Sequence, residues 1–188
     1  MADPGILQGG AAEGADERTP LFDLIELFFF AYRDFTADAD RRLEALDFGR
    51  AHHRVLHFVY RSPGLTVAAL LDILKITKQS LNRVMKDLTD GGFVEIRADN
   101  SDRRRRLLHA TPEGRRLALD LARLHSERFE RALAPLPQNA RPQAVAFLLG
   151  MIDPDERPRV EELVWNREPA AREAKRGPTA PCARERAA

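Results

Sequence analysis

Between Thr77 and Thr111 the chain gathers side chains suited to holding a polyanion rather than to breaking a bond. Lys78, Gln79, Asn82, Arg83 and Lys86 fall on one side of a helix that turns about 100° per residue, and Leu81, Val84, Met85 and Leu88 fall on the other. The polar side holds cations beside amides and no carboxylate. Lysine and arginine donate to phosphate oxygens or guanine edges, and glutamine and asparagine pair with adenine. A second basic group follows in Asp102-Arg103-Arg104-Arg105-Arg106, near the tip of a predicted hairpin. Arginines so placed suit a narrow, electronegative minor groove or the phosphates beside it. The expected partner is double-stranded DNA.

Other reactive residues are less eloquent. His53 and His57 stand four apart on a predicted helix, with His52 adjacent, a spacing that can chelate a metal. No Cys, Asp or Glu lies at a clear third-ligand spacing, so they are read as a structural pair, with no metal and no cofactor expected. There is no glycine-rich phosphate loop, no Gly-x-Ser-x-Gly elbow and no Cys/His cluster. Ser62, Ser80, Ser101 and Ser126 have no evident histidine–carboxylate partners. The chain does not read as an enzyme.

The elements that must carry these residues follow from caps and periodicity. Thr77 is an N-cap for the cation-bearing helix, and Gly91-Gly92 stops it. Phe93–Arg97 and Leu107–Ala110 read as paired strands, with Asp99, Asn100 and Ser101 as turn formers between them. Upstream, a helix over about Arg50–Tyr60 stops at Ser62-Pro63-Gly64, and Thr66 caps a short helix that meets Thr77. Helix, turn, helix and then basic hairpin is the order of a winged helix-turn-helix. Thr111-Pro112-Glu113 opens a long helix to about Leu133, with a further apolar helix over about Arg141–Met151 and a short segment near Val160–Trp165. A long helix from Thr19 or Pro20 carries the wide stripe Leu21, Leu24, Ile25, Phe28, Phe29, Tyr32 and Phe35, which calls for a large partner surface.

The chain is therefore predicted to be mainly α with a small β-hairpin wing. A disordered tail (1–18) precedes an N-terminal dimerisation helix (19–47) and a winged helix-turn-helix (48–111). C-terminal dimerisation helices (112–166) and a flexible tail (167–188) complete it. Terminal apolar helices of this kind can pair two copies and hold two reading helices at a fixed separation, as a palindromic site requires.

Charge supports the same division. The net charge is only +1, but residues 1–48 carry 4 basic and 11 acidic side chains, whereas residues 75–116 carry 11 basic and 6 acidic. An electrostatic footprint matters where it is local. No run is long and apolar enough to span a membrane, the N-terminus lacks a secretory pattern, and the single Cys182 suits a reducing compartment. A cytoplasmic location is expected.

Over about residues 20–150 the chain resembles the MarR family of bacterial transcriptional regulators. The matching residues are Ile76–Val84, the Gly91-Gly92-Phe93-Val94 exit, the wing Asp102-Arg103-Arg104, and Leu108–Gly114, whose Thr111 lies nine residues after Asp102. The resemblance implies a homodimer, a pseudo-palindromic promoter site and commonly release by a small ligand. It implies that Lys78, Gln79, Ser80, Asn82 and Arg83 face the major groove, while Arg104 reaches the minor groove braced by Asp102. Effector candidates, where the dimer helices meet the winged lobe, are Tyr32, Phe35, His53, His57 and Phe58. The run Gly49–Arg54 resembles an alphaproteobacterial branch of the family. The reactive cysteine of some members, near the first helix, is absent here. The rival reading is a winged helix serving as a protein–protein adaptor. Adaptors tend to lose the basic wing and to present carboxylates or apolar groups on the third helix, which this chain does not.

Overall fold

A computed structural model describes residues 19–99, 102 and 105–165. Arg103, Arg104, Cys182 and both tails named above lie outside the described residues. The elements in order are α1 (Phe22–Glu44), α2 (Arg50–Arg61), β1 (Leu65–Thr66), α3 (Val67–Leu74), α4 (Lys78–Asp90), β2 (Val94–Ala98), β3 (Arg106–Ala110), α5 (Pro112–Leu133), α6 (Ala140–Gly150) and α7 (Arg157–Trp165). No described helix is long and apolar enough to cross a membrane.

Three threonines start three of these helices by the same device. The hydroxyls of Thr66, Thr77 and Thr111 accept from the amides of Ala69, Ser80 and Gly114 at 3.2, 3.2 and 3.1 Å. Each satisfies an amide that the helix itself leaves unpaired, worth about 1 kcal/mol. One end follows the expected glycine stop and one does not. α4 stops with Gly91 still right-handed, and it is Gly92 that takes the left-handed turn, at φ +73°. α3 ends on Lys75, a non-glycine residue at φ +50°, which makes the sharp turn into α4.

The sheet has one strand more than expected. β3 is central, with β2 and the two-residue β1 antiparallel on either side, so that Leu108 faces both Leu65 and Ile96 in register. Leu108 is fully buried and anchors the sheet to one continuous core with Leu43 of α1, Val55, Leu56 and Val59 of α2, Leu70 of α3, Leu81 and Leu88 of α4 and Leu121 of α5. Among the described residues no charged side chain is fully buried.

α1 divides into two halves. Ala39 and Leu43 join the core, and Arg128 of α5 holds Asp38 through two hydrogen bonds of 2.8 and 2.6 Å. That contact keeps the Asp38 carboxyl below the usual range. The first half buries nothing. Leu21, Phe22, Leu24, Ile25, Leu27, Phe28, Phe29, Phe30 and Tyr32 are all exposed, between 45% and 65%.

Candidate nucleic-acid interface

α4 sits as a half-submerged rod. Leu81, Val84, Met85 and Leu88 are buried, while Lys78, Gln79, Ser80, Asn82, Arg83 and Lys86 are exposed on the opposite side. Among the described residues Lys78 and Arg83 enter no ion pair, so their donors are available to an incoming anion. Lys86 is engaged with Asp90 at 2.5 Å, a pairing that raises its pKa. Ser80 is half-spent on the cap, because its hydroxyl accepts from Thr77 at 2.9 Å.

The hairpin that follows is closed from its base. β2 and β3 pair from Val94↔Ala110 to Ala98↔Arg106, after which the Asp99 amide donates to the Arg105 carbonyl at 3.0 Å. The Arg105 amide donates in turn to the Asp102 carbonyl at 2.8 Å. Arg105 and Asp102 are exposed, and the Arg105 guanidinium lies 3.6 Å from the Asp99 carboxylate. Arg105 is thus drawn across the hairpin toward the end of β2. The expected brace between Asp102 and Arg104 falls outside the described residues.

The five effector candidates do not line one cavity. His57 and Phe58 border a cavity of about 660 Å³ between α2, α3, α5 and α7, with Ile73, Leu119 and Leu163. Tyr32 and Phe35 line a groove of about 460 Å³ between α1, α5 and α6, with Phe28 and Phe129. His53 lies between them in a ring cluster that links three helices. Phe35 stacks on His125 at 3.9 Å, His125 meets His53 at 4.9 Å, and His53 meets His57 at 6.4 Å. Among the described residues no three His, Cys, Asp or Glu groups come together in a way that could hold a metal ion.

Protonation of this cluster is expected to destabilise the fold. Burial, and then the neighbouring His125 and His57, push the His53 imidazole down to about 4, against a smaller opposing pull from Asp40. Burial lowers His125 as well. A ring whose folded pKa lies below its unfolded value resists protonation only when folded, so its contribution is complete above about pH 6.5 and is lost as pH falls toward 4. Allowing for the solvent that still reaches the ring, unfolding free energy is expected to drop by about 2 kcal/mol across that window. Urea unfolding at pH 7 and pH 4.5 measures it. His53→Gln should flatten most of the slope, and an unchanged slope would show that the histidines do not titrate as their packing requires.

Several contacts had no signal in the sequence. His52 bonds Asp87 of α4 across 35 positions. Lys75 bonds Glu156 at 3.4 Å, and Arg159 pairs with Asp72, so α7 is fastened to α3 and the turn that follows it. Spacing within one helix reveals none of these, because each joins distant segments.

Residues 46–105 match the family model described as MarR family. The chain is 49% identical over 134 residues to the HTH-type transcriptional regulator PetP of Rhodobacter capsulatus, covering 69% of this chain and 78% of that protein. Its fold is similar to Streptococcus pneumoniae FabT in complex with DNA, with TM-score 0.63 and 16% identity over 70% of this chain and 94% of that one. It is also similar to the S. aureus MepR–DNA complex, with TM-score 0.58 and 21% identity over 71% and 96% of the two chains.

Proposed function

The chain belongs to the MarR family of transcriptional regulators, and on that premise we propose that it acts as a homodimer on a pseudo-palindromic promoter site. One α4 enters each of two successive major grooves, and each arginine wing reaches the adjoining minor groove. The single observation that carries this is the exposed face of α4, where Lys78, Gln79, Ser80, Asn82 and Arg83 offer donors and acceptors with no carboxylate among them. Base edges are read by such side chains, and phosphates by the cations at their margin. Lys86 and Arg105 serve phosphates, and Asp102, Arg103 and Arg104 serve the wing.

The first half of α1 supports the dimer. Eight large apolar side chains in that half, and Leu21 just before it, are exposed in the single chain, more than a monomer leaves facing water. The groove holding Tyr32 and Phe35 continues that face, so a second copy of the helix is its natural occupant. This leaves the cavity bordered by His57 and Phe58 as the better chamber for a releasing ligand, since its volume suits a small molecule and its lining is largely apolar.

Footprinting on a duplex enriched by this protein from a random library tests the reading. Two protected half-sites related by a two-fold axis and one helical turn apart are expected, from a species sedimenting at twice the 21.2 kDa chain mass. Loss of the footprint on adding a small molecule would locate the effector. A single asymmetric footprint from a monomer would contradict the proposal, and absence of any footprint would favour a protein-binding role for the winged helix.

A further inference from the structure

We propose that His52 is a positioning residue for DNA binding: its neutral imidazole, protonated on Nε2, clamps Asp87 and so fixes the attitude of α4. The proposal rests on α4 being the helix that reads DNA. The sequence run Gly49–Arg54 had no role in that reading, and the structure assigns one to four of its members.

The ring's proton can be placed from its surroundings. The Gly49 amide donates to His52 Nδ1 at 3.0 Å, closing the cap of α2. A nitrogen that accepts carries no hydrogen, so in the neutral ring the hydrogen is on Nε2. Nε2 lies 3.2 Å from Asp87 Oδ2 and therefore donates to it. The ring plane is fixed by stacking on Phe48 at 4.6 Å and 11°, and Phe48 meets Phe93 edge-on at 5.3 Å. His52 thus reaches α4 directly through Asp87, and reaches the chain leaving α4 through the two phenylalanines.

A clamp orients only if one jaw is fixed. The first turn of α2 is held from other directions: Arg50 donates to Asp40 of α1 at 2.7 Å, and Arg54 donates to the Leu74 carbonyl at the end of α3 at 3.2 Å. The His53 ring packs against His125 of α5. Four consecutive or near-consecutive side chains therefore tie one helical turn to α1, α3, α4 and α5. Asp87 is the other jaw. It stands one turn beyond Arg83 on the same side of α4, where a loose carboxylate would repel the phosphates that Arg83 and Lys86 are to meet. Bonding to His52 draws that charge toward α2.

Two conservative variants separate positioning from mere capping. In His52→Gln the amide nitrogen extends about as far as Nε2 and still donates to Asp87, and the amide oxygen is the usual capping-box acceptor at this position. In His52→Asn the amide oxygen replaces Nδ1 and keeps the cap, but nothing reaches Asp87. Titrated on the duplex enriched by the wild type, the Gln variant is expected to bind within about threefold of wild type and the Asn variant about tenfold more weakly, with both melting within a few degrees of wild type. Imidazole ¹⁵N shifts of the DNA-free protein should report the Nε2–H tautomer. Equal affinity of the Asn variant and wild type, or an Nδ1–H tautomer, would overturn the clamp while leaving the role of α4 intact. Failure of the wild type to enrich or discriminate any duplex would overturn both.

Discussion

Replacing Arg83 by alanine is expected to weaken specific DNA binding by about 1–3 kcal/mol, a loss of roughly five- to more than a hundredfold, without lowering the melting midpoint. The side chain is exposed among Lys78, Gln79, Ser80 and Asn82 and enters no ion pair among the described residues. Nothing in the core depends on it. Its planar fork of donors matches a guanine edge or a phosphate bidentately, and truncation removes both bonds at once. Lys86→Ala makes the contrast. That ammonium already shares its charge with Asp90, and a phosphate contact carries no sequence information. Its loss should weaken all duplexes alike and lower the salt slope by about one. If Arg83→Ala bound the selected and unrelated duplexes as the wild type does, α4 would not be the reading element.

The second large effect concerns folding. Gly114 lies in the first turn of α5, and a Cβ built there would stand 1.9 Å from the Phe93 carbonyl oxygen. That oxygen cannot retreat freely, because it accepts from the Thr111 amide at 3.1 Å and from its hydroxyl at 3.3 Å. The same hydroxyl bonds the Gly92 carbonyl at 2.7 Å. The start of α5 is therefore pressed directly onto the exit of α4, backbone to backbone. Gly114→Ala should cost about 3 kcal/mol, which for a chain of this size lowers the melting midpoint by roughly 6–12 °C. The measurement is thermal unfolding by circular dichroism. A shift within a degree of wild type would mean that the two segments are not in contact.

How much of this was legible beforehand depends on the distance over which each signal acts. The helices of the reading unit were legible because their signals are local. Thr66, Thr77 and Thr111 each precede the helix they cap, and Leu81, Val84, Met85 and Leu88 recur at helical spacing. The third strand was not legible. Leu65–Thr66 is too short to show alternation, and it exists only because β3 offers it a free edge. The left-handed turn at Lys75 was hidden for a related reason, since glycine usually marks such a conformation. α7 starts at Arg157, three residues before the expected segment near Val160–Trp165, since a helix tolerates Pro158 in its first turn.

The sites divide in the same way. The exposed face of α4 could be read from one helical wheel. The aromatic cluster was half visible: Phe35, His53 and His57 stood out, but His125, which stacks between Phe35 and His53, sits in α5 and announces nothing by its neighbours. His52 reads from the sequence as the neighbour of a chelating pair and as part of the run Gly49–Arg54. Its partner lies 35 residues away, a contact that only the folded chain makes. The five effector candidates shared a region of the sequence map, yet Tyr32 and Phe35 line a groove with α5 and α6 while His57 and Phe58 border a cavity with α3, α5 and α7, so the set separates.

The most direct test is fluorescence anisotropy of the full chain on the enriched duplex, with an unrelated duplex as competitor, at low and near-physiological salt. Sequence-specific regulation requires tight binding that survives both competitor and salt and is weakened by Arg83→Ala. Binding that vanishes as salt is raised, or that the unrelated duplex displaces equally well, would contradict it.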